Sequence, residues 1–468
     1  MNSKPLTYDS LKTVILYMEP NIRFLLASRI PSIRLTEKAV PLKIDELAFE
    51  FDSHNVKVND TKYEYEVYQV DCKDKIPYRV SGKNELNWKM TCDVDEFGIR
   101  DYIIKAGGML PENTKSTLFG YHNLGNISTN EGRLQKLKRI LNHEKQRYDQ
   151  LLSFRPEQNA IDHEDEMRNL SNFKRIFIRV PRSYYSDELE LLKNEEMVKK
   201  AIEFIKEKIR KMENELLPFE NKRNNIRPQF EIYLTKRSQR DSPPHLIEHV
   251  KYTGDLHRAE ESLMNFMFSK RRHVVVINNL RITHLCPLRM SSDVKIRVRN
   301  LNIKRNLSSN LKLIKSIVDK SSLQLESLSI FIKLNRDRKL VNEFIDNSKH
   351  LTVAGAVDLP LMQRLQNHSV FFPMRSTVFL LGNDFIVLIR SWVETKKPIG
   401  TCFTFKSFEE GDETALQILD NIRNGIAHAA LREKCVNIPM STSAKLQISY
   451  SRSEHFVLLF KMTVVPID

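Results

Sequence analysis

The chain predicts a mixed α+β / α/β fold built from successive regions. Three observations predict it. Apolar residues recur at helical spacing near the N-terminus and in two long internal stretches. Alternating, strand-like runs fill the segments between them. From His273 onward, short apolar strands alternate with helix-like stretches. The expected boundaries are a helical module over 1–34, a small β-rich domain over 35–125, and a helix-rich α+β region over 126–270. An α/β region with repeat-like strand–helix units and a C-terminal β-hairpin follows over 271–468.

A chain of 468 residues, 41% of them hydrophobic, can bury a sizeable core in two or three domains. No apolar run approaches ~20 residues, so no membrane span is expected. Lys4, Asp9 and Lys12 surround the first helix, which is not the layout of a signal peptide. A soluble protein of the cytoplasm or nucleus is the expectation. The five cysteines are Cys72, Cys92, Cys286, Cys402 and Cys435; no pair has metal-ligand spacing, so reduced thiols are expected, with no metal and no structural disulfide. The net charge of +15 is compatible with nucleic acid, an anionic membrane or an acidic protein.

At the N-terminus, Asp9 or Ser10 is placed to cap a first helix whose Leu11, Val14, Ile15 and Met18 form one apolar stripe. Glu19-Pro20-Asn21 breaks it. A second helix with Ile22, Leu25 and Leu26 inward runs to Ile30-Pro31. Two helices this short are not stable alone and need the body or a partner.

Pro41–Asp45 reads as a strand. Asn55–Val58 and Lys62–Tyr68 alternate around Asn59-Asp60, a hairpin signal, and Trp88–Cys92 is a candidate further strand. A helix is expected from about Glu131 to Phe154, an acidic loop over 156–171 and a strand over 173–180. The longest helix is expected from Ser186 to Leu217, stopped by Pro218. Phe230–Leu234 and Leu246–Tyr252 read as strands, and Asp255–Ser269 as a helix.

Beyond His273, strand-like runs are expected at 274–277 leading into 279–282, at 296–298 leading into 301–303, and at 325–330 and 350–353, with helices at 311–318 and 340–348. Ile303 to Ile330 is 27 residues and Leu328 to Val353 is 25, within the period of leucine-rich repeats. An ordinary α/β domain carries the same alternation. Val378–Leu381 and a helix or strand over 385–393 come next. Then follow a strand at 400–405, a helix at 412–424 stopped by Gly425, and a hairpin of 445–450 with 456–464.

No catalytic constellation stands out. Phosphate loops, dinucleotide fingerprints, His-Glu-x-x-His and nucleophile elbows are missing from the sequence. His163-Glu164-Asp165 reads as a solvated acidic loop, and His284 near Cys286 is not by itself a dyad. No enzyme activity and no cofactor are expected. The strongest charge feature spans Lys270 to Arg305, ten Lys/Arg against Asp293 alone. Arg271, Arg272, Arg281, Lys295, Arg297, Arg299, Lys304 and Arg305 are its candidate patch residues, with Arg297 and Arg299 on one strand face. Without interleaved aromatics, a protein partner is favoured over nucleic acid.

The N-terminal pattern resembles an F-box. Pro5-Leu6, Leu11, Val14, Ile15, Met18, the Pro20-Asn21 break, Arg23–Leu26 and the Arg29–Arg34 exit carry the likeness. Arg34–Leu47, Ile399–Phe405 and Cys435–Met440 are similar to a large nematode-expanded family that pairs an F-box-like N-terminus with a long domain of unknown function. The resemblance implies docking of a Skp-type adaptor and presentation of a protein substrate to a ubiquitin ligase. Pro5, Leu6, Leu11, Val14, Ile15, Met18 and Leu25 would be the docking residues. The alternative is a basic nucleic-acid-binding or scaffold protein whose N-terminal hairpin is purely structural.

Overall fold

The structure is a computed structural model. It describes residues 7–50, 55–72, 76–81, 93–100, 130–157, 163–176, 183–238, 242–283, 290–291, 293–304, 307–322, 324–332, 343–374, 376–407, 412–452 and 457–467. Pro5, Leu6, Arg289, Arg305, the Trp88–Cys92 candidate strand and the His284/Cys286 pair lie outside the described residues.

The chain opens with α1 (Tyr8–Tyr17), α2 (Pro20–Arg29), a 3-10 turn (Pro31–Ile33) and α3 (Arg34–Lys38). Thr7, rather than Asp9 or Ser10, caps α1: its hydroxyl accepts from the Ser10 N–H. Glu19 caps α2, accepting from the N–H groups of Asn21 and Ile22, with Pro20 at the first helical position. Strands β1 (Lys43–Phe49), β2 (Asn55–Val58), β3 (Thr61–Gln69) and β4 (Tyr78–Arg79) follow. The β2–β3 hairpin turns at Asn59, which adopts φ 52° as the sequence signal requires.

Four helices come next: α4 (Asn130–Ser153), α5 (His163–Ile176), α6 (Ser186–Leu189) and α7 (Glu195–Arg223). Two sequence expectations fail here. The acidic stretch is the first turn of α5, not a loop, and Phe173 lies in that helix rather than a strand. Glu164, Asp165 and Glu166 favour the positive helix end, while buried Leu170 and Phe173 anchor it. The expected 186–217 helix is divided by a break at 190–194, and α7 restarts on the Asn194 cap. It then runs through Pro218 to Arg223. An interior proline costs about 3 kcal/mol. Tertiary packing of this last turn, including the Asn221 side chain on the Phe97 carbonyl, outweighs that cost.

The remaining chain supplies β5 (Phe230–Arg237), β6 (His245–Lys251), α8 (Leu256–Phe268), β7 (Val275–Ile282), β8 (Ile296–Ile303) and α9 (Leu307–Ile317). Then come β9 (Ser327–Ile332), α10 (Glu343–Asp346), β10 (His350–Gly355), α11 (Leu359–Arg364) and β11 (Ser369–Pro373). The last elements are α12 (Val378–Leu381), α13 (Asn383–Thr395), β12 (Cys402–Ser407), α14 (Asp412–Gly425), β13 (Ala430–Arg432), β14 (Cys435–Pro439), β15 (Ala444–Arg452) and β16 (Leu458–Pro466).

All these strands belong to one mixed sheet, ordered β13-β14-β15-β16-β12-β11-β10-β9-β8-β7-β1-β2-β3-β5-β6, with β4 on β3. Its centre is parallel from β1 through β7 to β12. Both flanks are antiparallel. Leu47, Leu280, Leu301, Leu328, Leu351, Val370 and Phe403 stand in one register row across the seven parallel strands, and all are buried.

A buried-x-x-buried-x-buried pattern recurs through this centre: Ile44, Leu47, Phe49; Ile277, Leu280, Ile282; Val298, Leu301, Ile303; Leu325, Leu328, Ile330. Strands β10 and β11 keep the spacing but place Ser348 and Asn367 at its first position. The two are hydrogen-bonded: the Asn367 Nδ2 donates to the Ser348 carbonyl at 3.0 Å and its hydroxyl at 3.2 Å. Leu311 and Ile314 of α9, Phe385 and Trp392 of α13 and Ile418 of α14 pack into the same core. Parallel strands follow one another from β7 to β12 without a reversal of order, and the right-handed crossovers such units favour put their helices on a single face. On the opposite, open face the described side chains of β7–β12 are exposed or half-buried. No helix among the described residues is long and apolar enough to cross a membrane.

Candidate functional site

The N-terminal module is joined to the body by buried charge. Arg23 on α2 and Arg271, three residues past α8, both reach Glu37 on α3 at 2.9 Å. The three side chains are 2–3% exposed. Arg23 also donates to the carbonyls of Pro41, Glu37 and Val40, and Arg271 to that of Met267. Burial pulls both guanidinium pKa values down, opposed by the Glu37 charge. Beside them, the Lys38 ammonium donates to the carbonyls of Phe266 (2.6 Å) and Ser269 (2.7 Å), covering the end of α8. Burial, and then the Arg271 charge, lower Lys38 to about 8. Phe24 packs edge-on against Phe268 at 6.2 Å.

This arrangement turns α2 away from the orientation its apolar spacing suggests. Arg23, Phe24 and Ala27 are inward, whereas Ile22 is 50% exposed. The sequence-predicted docking stripe is therefore divided among three environments. Ile15 is in the interior, 1% exposed, and Leu11 and Met18 are half-buried. Val14 faces solvent at 40%, one turn from Tyr17 at 84%. Leu25 lines an open groove of about 820 Å³, together with Ile22 and with Leu234, Ile247, Val250 and Phe266 of the body. Leu35 on α3, which packs against α1, is 84% exposed. Tyr17 and Leu35 were not singled out by the sequence, because they fall off the strongest helical stripe.

The basic stretch is likewise dispersed. Arg271 is withdrawn from it, because Glu37 holds it in the interior. Arg281 pairs with Glu46, Arg297 approaches Asp319 at 3.8 Å, and Lys295 donates to the Ser316 carbonyl. Arg272, Arg299 and Lys304 are exposed. Arg297 and Arg299 do share one face of β8, the open one. Asp293, the acid within the stretch, accepts from the Ser269 hydroxyl and the Lys270 N–H. A bond from the Ser291 hydroxyl, and then those two, pull its carboxyl down to about 2.

A family model described as a domain of unknown function (DUF3557) matches residues 255–409, about a third of the chain. The match runs from α8 through β12 and so covers the parallel strands β7–β12. A long C-terminal domain of unknown function is thus present, as the sequence resemblance implied. No curated protein and no solved structure matches the chain.

Proposed function

We propose that this chain is a non-enzymatic substrate-recognition adaptor. Its F-box-like N-terminal module docks a Skp-type adaptor, and its α/β body holds a protein target for ubiquitination. One observation carries the reading. The module is fixed on the body by the Glu37 cluster, yet it leaves Val14, Tyr17 and Leu35 exposed on α1 and α3. Contiguous exposed apolar patches mark interaction sites, and the exposure of these three residues on neighbouring helices supports that reading. We read the β7–β12 region as leucine-rich-repeat-like, on the recurrence of its buried spacing and its sequential parallel strands.

Co-purification with a Skp-type adaptor tests the reading. The informative variant is Val14→Asp with Tyr17→Asp, since both positions face solvent. It should lose the adaptor while remaining folded. Absence of wild-type binding would leave the module as a structural cap, and the nucleic-acid alternative would take its place.

A further inference from the structure

The open face of the sheet carries a row of polar side chains, none of them a carboxylate, set side by side across its strands. Asn279 on β7 registers with Asn300 on β8, and Asn300 with Ser327 on β9. These three are hydrogen-bonded in series: Asn300 Nδ2 donates to Asn279 Oδ1 at 3.0 Å, and the Ser327 hydroxyl to Asn300 Oδ1 at 2.8 Å. The row continues through His350, Ser369 and Cys402 on β10, β11 and β12. It ends in Thr463, Gln447 and Asn437 on β16, β15 and β14. The Thr463 hydroxyl lies 3.3 Å from the Cys402 sulfur, and Gln447 donates to Asn437 at 3.4 Å. Each of these side chains is exposed or half-buried, while its apolar neighbours in the strand point to the helix-covered core.

The charge around the row is one-sided. Lys461 on β16 flanks it on one side and Lys445 on β15 on the other, two residues from Thr463 and Gln447 respectively. Neither enters an ion pair among the described residues. Among the described strand residues of β10–β16 that share this face, none is acidic. On β7–β9 the cations are largely paired, Arg281 with Glu46 and Arg297 with Asp319. Lys445 and Lys461 thus place positive potential at the β14–β16 end, and Arg299 on β8 adds an exposed cation at the other.

We infer that this open face binds an extended, acidic polypeptide segment that runs across the strands along the polar row. Amides and hydroxyls can pair with a peptide backbone, and the flanking lysines complement carboxylates. Stacking platforms for bases are few, Phe331 on β9 and Phe371 on β11 being the phenylalanines of β7–β12 that share the face. With strands ~4.8 Å apart, the nine strands from β7 to β14 span about 38 Å, the length of about 11 extended residues. The inference deepens the adaptor reading, and rests on it, by giving the chemistry of the target.

Fluorescence anisotropy of the full chain with a labelled 12-residue peptide of alternating Glu and Ser tests it. Wild type should bind, and Lys445→Glu with Lys461→Glu should weaken binding at least tenfold. Lys199→Glu with Lys206→Glu makes the same change of charge on exposed positions of α7 and should change binding less than twofold. Val14→Asp with Tyr17→Asp should bind the peptide normally, so a failure of Skp docking is read separately. No wild-type binding, an equal loss in the α7 variant, or tighter binding of a 12-nucleotide oligo-dT would each overturn the proposal.

Discussion

Glu37 and Arg271 are separated by most of the N-terminal half of the chain, yet the Arg271 Nη2 donates to both carboxylate oxygens, at 2.9 and 3.0 Å. Arg23 shares the same carboxylate. Removing it by Glu37→Gln would leave two guanidinium groups buried without a counter-charge. Breaking a buried pair in this way costs about 3–5 kcal/mol. Urea denaturation should show a loss in that range, larger than the loss from Arg271→Met, which leaves Glu37 paired with Arg23.

Lys38 gives a pH dependence with a definite sign. Its folded pKa, about 8, is below the ordinary lysine value of 10.5. Between these values the unfolded chain binds more protons than the folded one, so stability from this group rises with pH. Below about 8 both states are protonated and the contribution is flat. The difference in Tm between wild type and Lys38→Met should therefore grow in favour of wild type from pH 8 to 10.5. A flat difference would show that the contacts to the Asn265, Phe266 and Ser269 carbonyls hold the ammonium at its usual pKa.

Gly355 closes β10 at φ +97°, and a Cβ there would lie 2.2 Å from the Ile332 carbonyl oxygen. The obstacle is the backbone of the neighbouring strand, which cannot swing aside. Gly355→Ala should cost about 1–3 kcal/mol, measured by chemical denaturation. Gly254→Ala, also at positive φ but in open space, should cost less.

Asn367 holds the β10–β11 step through its buried amide. Asn367→Ala would leave the Ser348 hydroxyl and the surrounding carbonyls short of a donor. The expected loss is about 1–3 kcal/mol. Asn367→Leu restores the apolar residue found at this position in β7–β9 but leaves the same carbonyls unmet. It should recover less than the full stability.

Much of the strand content was legible because period-2 alternation is a local signal. β3, β15 and β16 are the clearest cases. The strands of β7 and β8 read as pairs of short runs, since the buried spacing changes from two to three residues at Asn278-Asn279 and at Arg299-Asn300. That interruption is what brings the asparagines onto the open face. Long-range charge was not legible. Nothing near Arg23 or Arg271 in the sequence shows that both meet Glu37, so α2 was turned the wrong way and Arg271 was assigned to the surface. The continuation of α7 through Pro218 depends on tertiary contacts to 97–98. The exposure of Leu35 and Tyr17 is likewise a property of packing, not of spacing.

The most direct test of the adaptor account is hydrogen–deuterium exchange on the full chain, with and without a Skp-type adaptor. The account predicts added protection confined to residues 8–17 and 34–38, lost in Val14→Asp with Tyr17→Asp. Ile15→Asp is no substitute, because Ile15 is 1% exposed and a buried charge there would unfold the module. No added protection, or protection on the sheet with α1 and α3 unchanged, would contradict it.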